Sequence, residues 1–146
     1  MTINNIAPLR NTGGNRRLNK AYQKMQSLID ALNEKQIPDE IQQSINRDIE
    51  SINSFEGTDT ELRKYIKKIR YKTLKLVENE LELVAINHYR DLYMAIGMAL
   101  GVAVSTFYDH NGISLIIGLV VGMTLGANMD KKAAAKDKQL NLINQS

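Results

Sequence analysis

The chain has 146 residues, about one ordinary domain, with 43% hydrophobic residues, 24% charged residues, a net charge of +3 and a mean hydropathy of -0.30. Zero Cys excludes a disulfide scaffold, a thiolate zinc site and a Cys nucleophile together. The weak net charge, mixed with acids throughout the first half, does not point to a nucleic-acid partner.

Two Pro, no Trp and no period-two alternation argue against a β protein, so the chain reads as all-α. Its polarity is uneven. Residues 1–91 carry 15 Lys/Arg and 13 Asp/Glu, residues 130–146 carry 4 and 2, and Leu92 to Met129 holds one formal charge, Asp109. Residues 1–14 lack the apolar core of a signal peptide and are expected to be a flexible N-terminus.

After Gly13-Gly14, Asn15 is placed to cap a helix whose face is Leu18, Tyr22, Met25, Ile29 and Leu32, recurring every three or four residues and ending near Gln36. Pro38 then biases Ile37 away from the α region and fits only the start of a new helix. Asp39 and Glu40 favour that start electrostatically. Ile41, Ile45, Ile49 and Ile52 form the second stripe, closed by Phe55 and Gly57. A third helix opens on Thr58-Asp59-Thr60-Glu61, the spacing of a reciprocal capping box. Leu62, Ile66, Ile69, Thr73, Leu76, Glu80 and Leu83 follow its track, and no Pro or Gly interrupts it before Gly97. The expectation is a small three-helix cytoplasmic region over residues 15–90, whose last helix continues into the apolar half.

Within the third helix Arg63, Lys64, Lys67, Lys68, Arg70, Lys72 and Lys75 form a basic run. One reading is a patch for anionic lipid headgroups or nucleic acid; the other, favoured by the distance to the apolar segment, is a solvated face paired with acids of the first two helices. Lys75 lies about 24 Å before Asp91 along a straight helix, well beyond a Debye length of about 8 Å.

Seventeen uncharged residues separate Asp91 from Asp109, and nineteen separate His110 from Asp130. The pattern predicts a transmembrane helical hairpin over 91–129 with its turn at 109–112, followed by a cytoplasmic tail over 130–146. Each apolar stretch, Leu92–Tyr108 and Ile113–Met129, spans about 25 Å as helix. Lys72, Lys75 and Arg90 precede the hairpin, Lys131, Lys132, Lys136 and Lys138 follow it, and the turn has no cation. Both termini are therefore expected on the cytoplasmic side, with Tyr89, Tyr93 and Tyr108 at the bilayer interfaces.

Ser114, Gly118, Gly122 and Gly126 recur every four residues on the second apolar helix, and Gly97, Gly101 and Ser105 do so on the first. Residues at this spacing share a face, and missing side chains let another backbone approach closely. Ala95, Ala99 and Ala103 lie about 200° around the first helix from the glycine stripe, and form a candidate oligomer face. The alternative is that Ala is merely common in membrane helices.

The charged N-terminal region, the Asn87-His88-Tyr89-Arg90-Asp91-Leu92 junction, the Gly-rich hairpin and the closing Met129-Asp130-Lys131-Lys132-Ala133 together resemble uncharacterised bacterial glycine-zipper membrane proteins, over most of residues 40–140. The resemblance implies a bacterial cytoplasmic membrane location and this architecture, and no reaction.

Chemistry is sparse. Gly13-Gly14 has neither the spacing nor the strand of a phosphate loop. His88 and His110 are expected at opposite membrane faces, which leaves no metal site. Ser105, Thr106, Ser114 and Thr124 lack an accompanying base and are expected to return their hydroxyls to backbone carbonyls. No catalytic residue and no cofactor is assigned, and an enzyme is not expected. The partners expected are the lipid bilayer, further copies of the chain and a cytoplasmic protein. Two functions stay open: an oligomerising membrane anchor or scaffold, and a small pore-forming protein of toxin, holin or effector type. A soluble helical regulator is a third, weaker reading.

Overall fold

The computed structural model describes residues 2–8, 15–106 and 112–142. Its helices are α1 (Arg16–Asn33), α2 (Asp39–Asn53), α3 (Asp59–Leu81), α4 (His88–Ser105) and α5 (Ile113–Ala135), with two short strands, β1 (Val84–Ala85) and β2 (Gln139–Leu140), paired with each other. The protein is all-helical apart from that pair. The chain divides into two compact units, residues 1–83 with 140–146, and residues 84–139.

In the first unit the local signals act as their chemistry dictates. Asn15 caps α1 by accepting from the Leu18 amide at 3.2 Å. Leu18, Met25, Ile29 and Leu32 are fully buried and Tyr22 is half-buried. Pro38 is the N-cap of α2, with Asp39 and Glu40 in the first turn. The buried face of α2 is Gln42, Ile45, Ile49 and Ile52, whereas Ile41 is half-buried. Gln42 fits there because its amide nitrogen donates to the Ile37 carbonyl at 2.6 Å, in the turn from α1. The capping box of α3 is complete: the Thr58 amide donates to the Glu61 carboxylate at 2.9 Å and the Glu61 amide to the Thr58 hydroxyl at 3.4 Å. The Thr58 amide, and then the Thr58 hydroxyl, which donates to the same carboxylate at 2.8 Å, hold the Glu61 carboxyl below its ordinary 4.5. The buried track of α3 is Ile66, Ile69, Thr73 and Val77.

Residues 2–8, expected within a flexible N-terminus, form an extended strap against this bundle. Ile3 and Ile6 are only 4% and 6% exposed. An extended segment has its backbone groups free, and three asparagines satisfy them. The Ile3 amide donates to the Asn33 side-chain oxygen at 2.9 Å, and the Asn33 amide nitrogen donates back to the Ile3 carbonyl at 3.1 Å. The Asn4 amide donates to Asn46 at 2.7 Å and the Ala7 amide to Asn53 at 2.9 Å. Asn46 and Asn53 lie two turns apart on α2, about 10.5 Å at 1.5 Å per residue, and three extended residues cover about 10 Å. The Tyr22 hydroxyl completes the clamp on the Ile6 and Ala7 carbonyls, at 2.8 and 2.9 Å.

The expected continuation of the third helix into the apolar half does not occur. Helix α3 stops at Leu81, because Glu82 turns into the left-handed region at φ 56° and the Glu82 and Leu83 amides fold back onto the Glu78 and Val77 carbonyls. The Val84 amide donates instead to the Lys138 carbonyl at 3.0 Å, and Asn87, at φ 64°, reverses the chain into α4. A stretch without Pro or Gly thus breaks because pairing with a distant segment stabilises the break. Residues 130–135, expected in the tail, extend α5 to Ala135.

In the second unit α4 and α5 run antiparallel, side by side. The expected two-helix transmembrane hairpin is not what the helices present: among the described residues one helix, Ile113–Ala135, is long and apolar enough to cross a membrane. Helix α4 spends its first turn on His88, Tyr89, Arg90 and Asp91, which shortens its apolar part. Gly112, at φ 113°, opens α5 in a conformation open to glycine. The remainder of the expected turn, residues 109–111, and Tyr108 lie outside the described residues.

Candidate functional site

The feature of the second unit with most consequence is the α4–α5 interface. A Cβ placed on Gly97 would fall on the Gly118 carbonyl, and one on Gly118 would fall on the Gly97 carbonyl. At Gly122 it would meet the Tyr93 carbonyl, at Gly101 the Ser114 oxygen at 2.7 Å and the Leu115 Cα at 2.8 Å, and at Gly126 the Arg90 Cα at 2.5 Å. Real Cβ contacts do not come closer than 3.0 Å, so five positions in succession admit only glycine without a backbone shift. Advancing four residues along α5 matches retreating four along α4, which keeps the two backbones in touch over the whole stripe.

The structure thus brings together Gly97, Gly101, Ser114, Gly118, Gly122 and Gly126. Ser105 is half-buried and donates to the Val102 carbonyl at 2.7 Å. Thr106 and Thr124 likewise return their hydroxyls to Ala103 and Val120, at 2.6 and 2.8 Å. The Ser114 hydroxyl differs: it is buried with no hydrogen-bond partner among the described residues. Ala95, Ala99 and Ala103 are exposed.

The stripe continues one step further, to a residue whose role the sequence pattern does not reveal. Asp130 follows Gly126 by four and is 8% exposed. Its two carboxylate oxygens accept from the Tyr89 and Arg90 amides, at 3.1 and 2.9 Å. Helix α4 has no side-chain cap from its own N-cap, Asn87. The first-turn N–H groups of α4, with the positive end of its dipole, are met by an acid of the neighbouring helix. Close approach at Gly126 permits this short reach. The Gln139 amide nitrogen donates to the Asp130 carbonyl at 2.9 Å. The one signal in the sequence is a lone acid at the next position of a four-residue glycine period.

Outward from this interface the helices are apolar. Leu100 and Ile116 are each 62% exposed, and Leu92, Ile96, Val102, Ile113, Ile117 and Val121 are exposed as well. Among the described residues the glycine-lined side of these helices is the covered one.

Among the described residues no group of three His, Asp or Glu side chains gathers to hold a metal ion. His88 packs its ring edge-on to Tyr89, with centroids 5.3 Å apart, and His110 lies outside the described residues. Compared with protein-family models, curated proteins and solved structures, the chain matches none.

Proposed function

We propose that the chain is a small integral membrane protein that anchors and self-associates through its apolar half, while its charged helical bundle offers a cytoplasmic surface to a protein partner. The observation that carries this reading is the exposed apolar girdle of α4 and α5 around a backbone-to-backbone contact. Lipid tails are as apolar as Leu, so membrane helices associate by close packing of small residues instead of by burying hydrophobic surface. An outward face of Leu, Ile, Val and Met is what lipid solvates. The apolar part of α5, residues 113–129, is about 25 Å long at 1.5 Å per residue, which snorkelling of Lys131 and Lys132 and local thinning match to a hydrocarbon layer of about 30 Å. In this reading α4 enters the bilayer beside α5, with Arg90 and Lys131 near the headgroups and both termini cytoplasmic.

The hairpin is then a glycine zipper of the bacterial kind that its junction residues resemble, and its location the bacterial cytoplasmic membrane. Ala95, Ala99 and Ala103, on the exposed side of α4, form the contact between copies. The exposed faces carry almost no polar groups, which supports an anchor over a water-filled pore.

Alkaline carbonate extraction of native membranes tests insertion, and the protein should stay in the pellet. An engineered cysteine at Asn111 should react with an impermeant maleimide in intact cells while one at Gln145 should not. Carbonate release overturns membrane insertion, and labelling at Gln145 alone overturns the orientation. A pore would reveal itself as dye leakage from vesicles holding the purified protein.

A further inference from the structure

In the first unit α1 and α3 run parallel, a register set by two contacts: the Asn15 amide nitrogen donates to the Asp59 carboxylate at 3.1 Å, and the Arg70 guanidinium to the Lys24 carbonyl at 3.3 Å. That register sets Arg17, Lys20 and Lys24 of α1 along the same groove as Arg63, Lys67 and Arg70 of α3. The half-open groove has a volume of about 490 Å³, and among the described residues its lining beside these six cations is Ala21. No acid lines it. Among the described residues none of the six forms an ion pair, whereas Lys72, around the helix, is bonded to Asp48 of α2 at 2.8 Å. The acids expected to neutralise the basic run thus reach Lys72 and leave the α1 side unmatched.

Like charges facing one another across the groove repel, and of the six Lys24, Arg63 and Arg70 are half-buried while Arg17, Lys20 and Lys67 are exposed. The Lys24 ammonium shows the effect: burial first, then Lys20, Arg70 and Lys67, pull it below its ordinary value. The Arg70 guanidinium, held against the Lys24 carbonyl, is lowered by burial. Neighbouring cations on each helix sit three or four residues apart, about 5 Å along the axis, a separation comparable with that of successive phosphates in an oligophosphate. Three of the residues are lysines that act as mobile point charges, and three are arginines whose planar forks match phosphate oxygens in pairs.

We propose that the groove between α1 and α3 is a binding site for a compact anion carrying two or more phosphate groups, held between Arg17, Lys20 and Lys24 on one wall and Arg63, Lys67 and Arg70 on the other. The volume fits a small oligophosphate or a phosphorylated headgroup better than the flat, extended track that a nucleic-acid strand needs. The site stands on the first unit alone and does not depend on the membrane reading.

The test uses the purified full-length chain in micelles of an uncharged detergent, with inorganic tripolyphosphate as the probe in isothermal titration calorimetry. One site per chain is expected, with an affinity that falls steeply as salt rises. Lys20→Gln with Lys67→Gln should weaken binding by about tenfold or more, since each removes a charge-assisted bond. Lys64→Gln with Lys68→Gln, the same charge change on α3 outside the groove, should change it by less than about twofold. Circular dichroism of both variants confirms that the helices remain. Absence of binding at low ionic strength, or equal loss in the two double variants, overturns the proposal.

Submicellar dioctanoyl phosphatidylinositol bisphosphate, whose headgroup carries more than one phosphate, separates the two sources of such a group. Displacement of tripolyphosphate by this lipid, and not by dioctanoyl phosphatidylcholine, assigns a headgroup. Retention of tripolyphosphate assigns a soluble oligophosphate. An affinity for single-stranded oligonucleotide that grows with length and far exceeds that for tripolyphosphate overturns the compact site in favour of a nucleic-acid track.

Discussion

At the scale of single residues, the second unit depends on atoms that are missing. Gly122 lies where a side chain would strike the Tyr93 carbonyl, and backbone cannot yield as a rotamer can. Gly122→Leu should therefore destabilise the α4–α5 pair by about 3 kcal/mol or more. Val120→Ala, at a position 55% exposed, should cost little. A denaturant titration of the two variants in detergent micelles measures the difference, and equal midpoints would show that the stripe is incidental to packing. Asp130 acts by what it supplies. Its carboxylate holds two amides at the start of α4, and Asp130→Asn keeps an acceptor but loses the charge facing the helix dipole. A loss of about 1 kcal/mol is expected, together with faster hydrogen exchange at the Tyr89 and Arg90 amides. Unchanged exchange at those amides would remove the capping role.

At the scale of elements, α2 has one apolar face and one face that reads backbone. Asn46 and Asn53 stand two turns apart and hold the strap at Asn4 and Ala7. Each bond is partly open to solvent, so Asn46→Ala and Asn53→Ala should cost about 1 kcal/mol apiece. Their signature is local: exchange at the Asn4 and Ala7 amides quickens while the helices keep their protection. Uniform loss of protection across α1 to α3 would mean that the strap is part of the core and not an attachment to it. The Ile3 and Ile6 spacing of three is visible in the sequence, but three residues are too few to carry a period, and without α1 and α2 beside them they read as an ordinary polar terminus.

At the scale of the whole molecule, the proposed membrane anchor makes its own demand on the face of α4 turned away from α5. If Ala95, Ala99 and Ala103 join two copies, Ala99→Leu should abolish crosslinks in native membranes and leave the α4–α5 pair intact. Gly101→Leu should do the reverse, since a side chain there meets Ser114 and Leu115 of the same chain. Crosslinking alongside a protease-protection assay gives both readouts. A wild-type protein that stays monomeric in native membranes would remove self-association and leave the anchor alone.

Amino-acid order alone determined the features that are local or periodic. Asn15, Pro38 and the Thr58–Glu61 box place three helix starts because a cap acts within one turn, and the stripes of α1 and α2 are legible because burial repeats with the helix. The glycine period of α5 was legible for the same reason. Tertiary structure decided whatever depends on partners far apart in the chain. The break at Glu82 rests on pairing with Lys138, the cap on α4 is an acid 41 residues away, and the strap is held by side chains 30 to 46 residues distant. The cationic groove has two walls separated by some forty residues, and no run of charge on α3 announces what α1 sets beside it. Local preference is too weak to choose among such pairings, because each helix start or turn is worth about 1 kcal/mol, while close contact between distant backbones decides which of them can coexist.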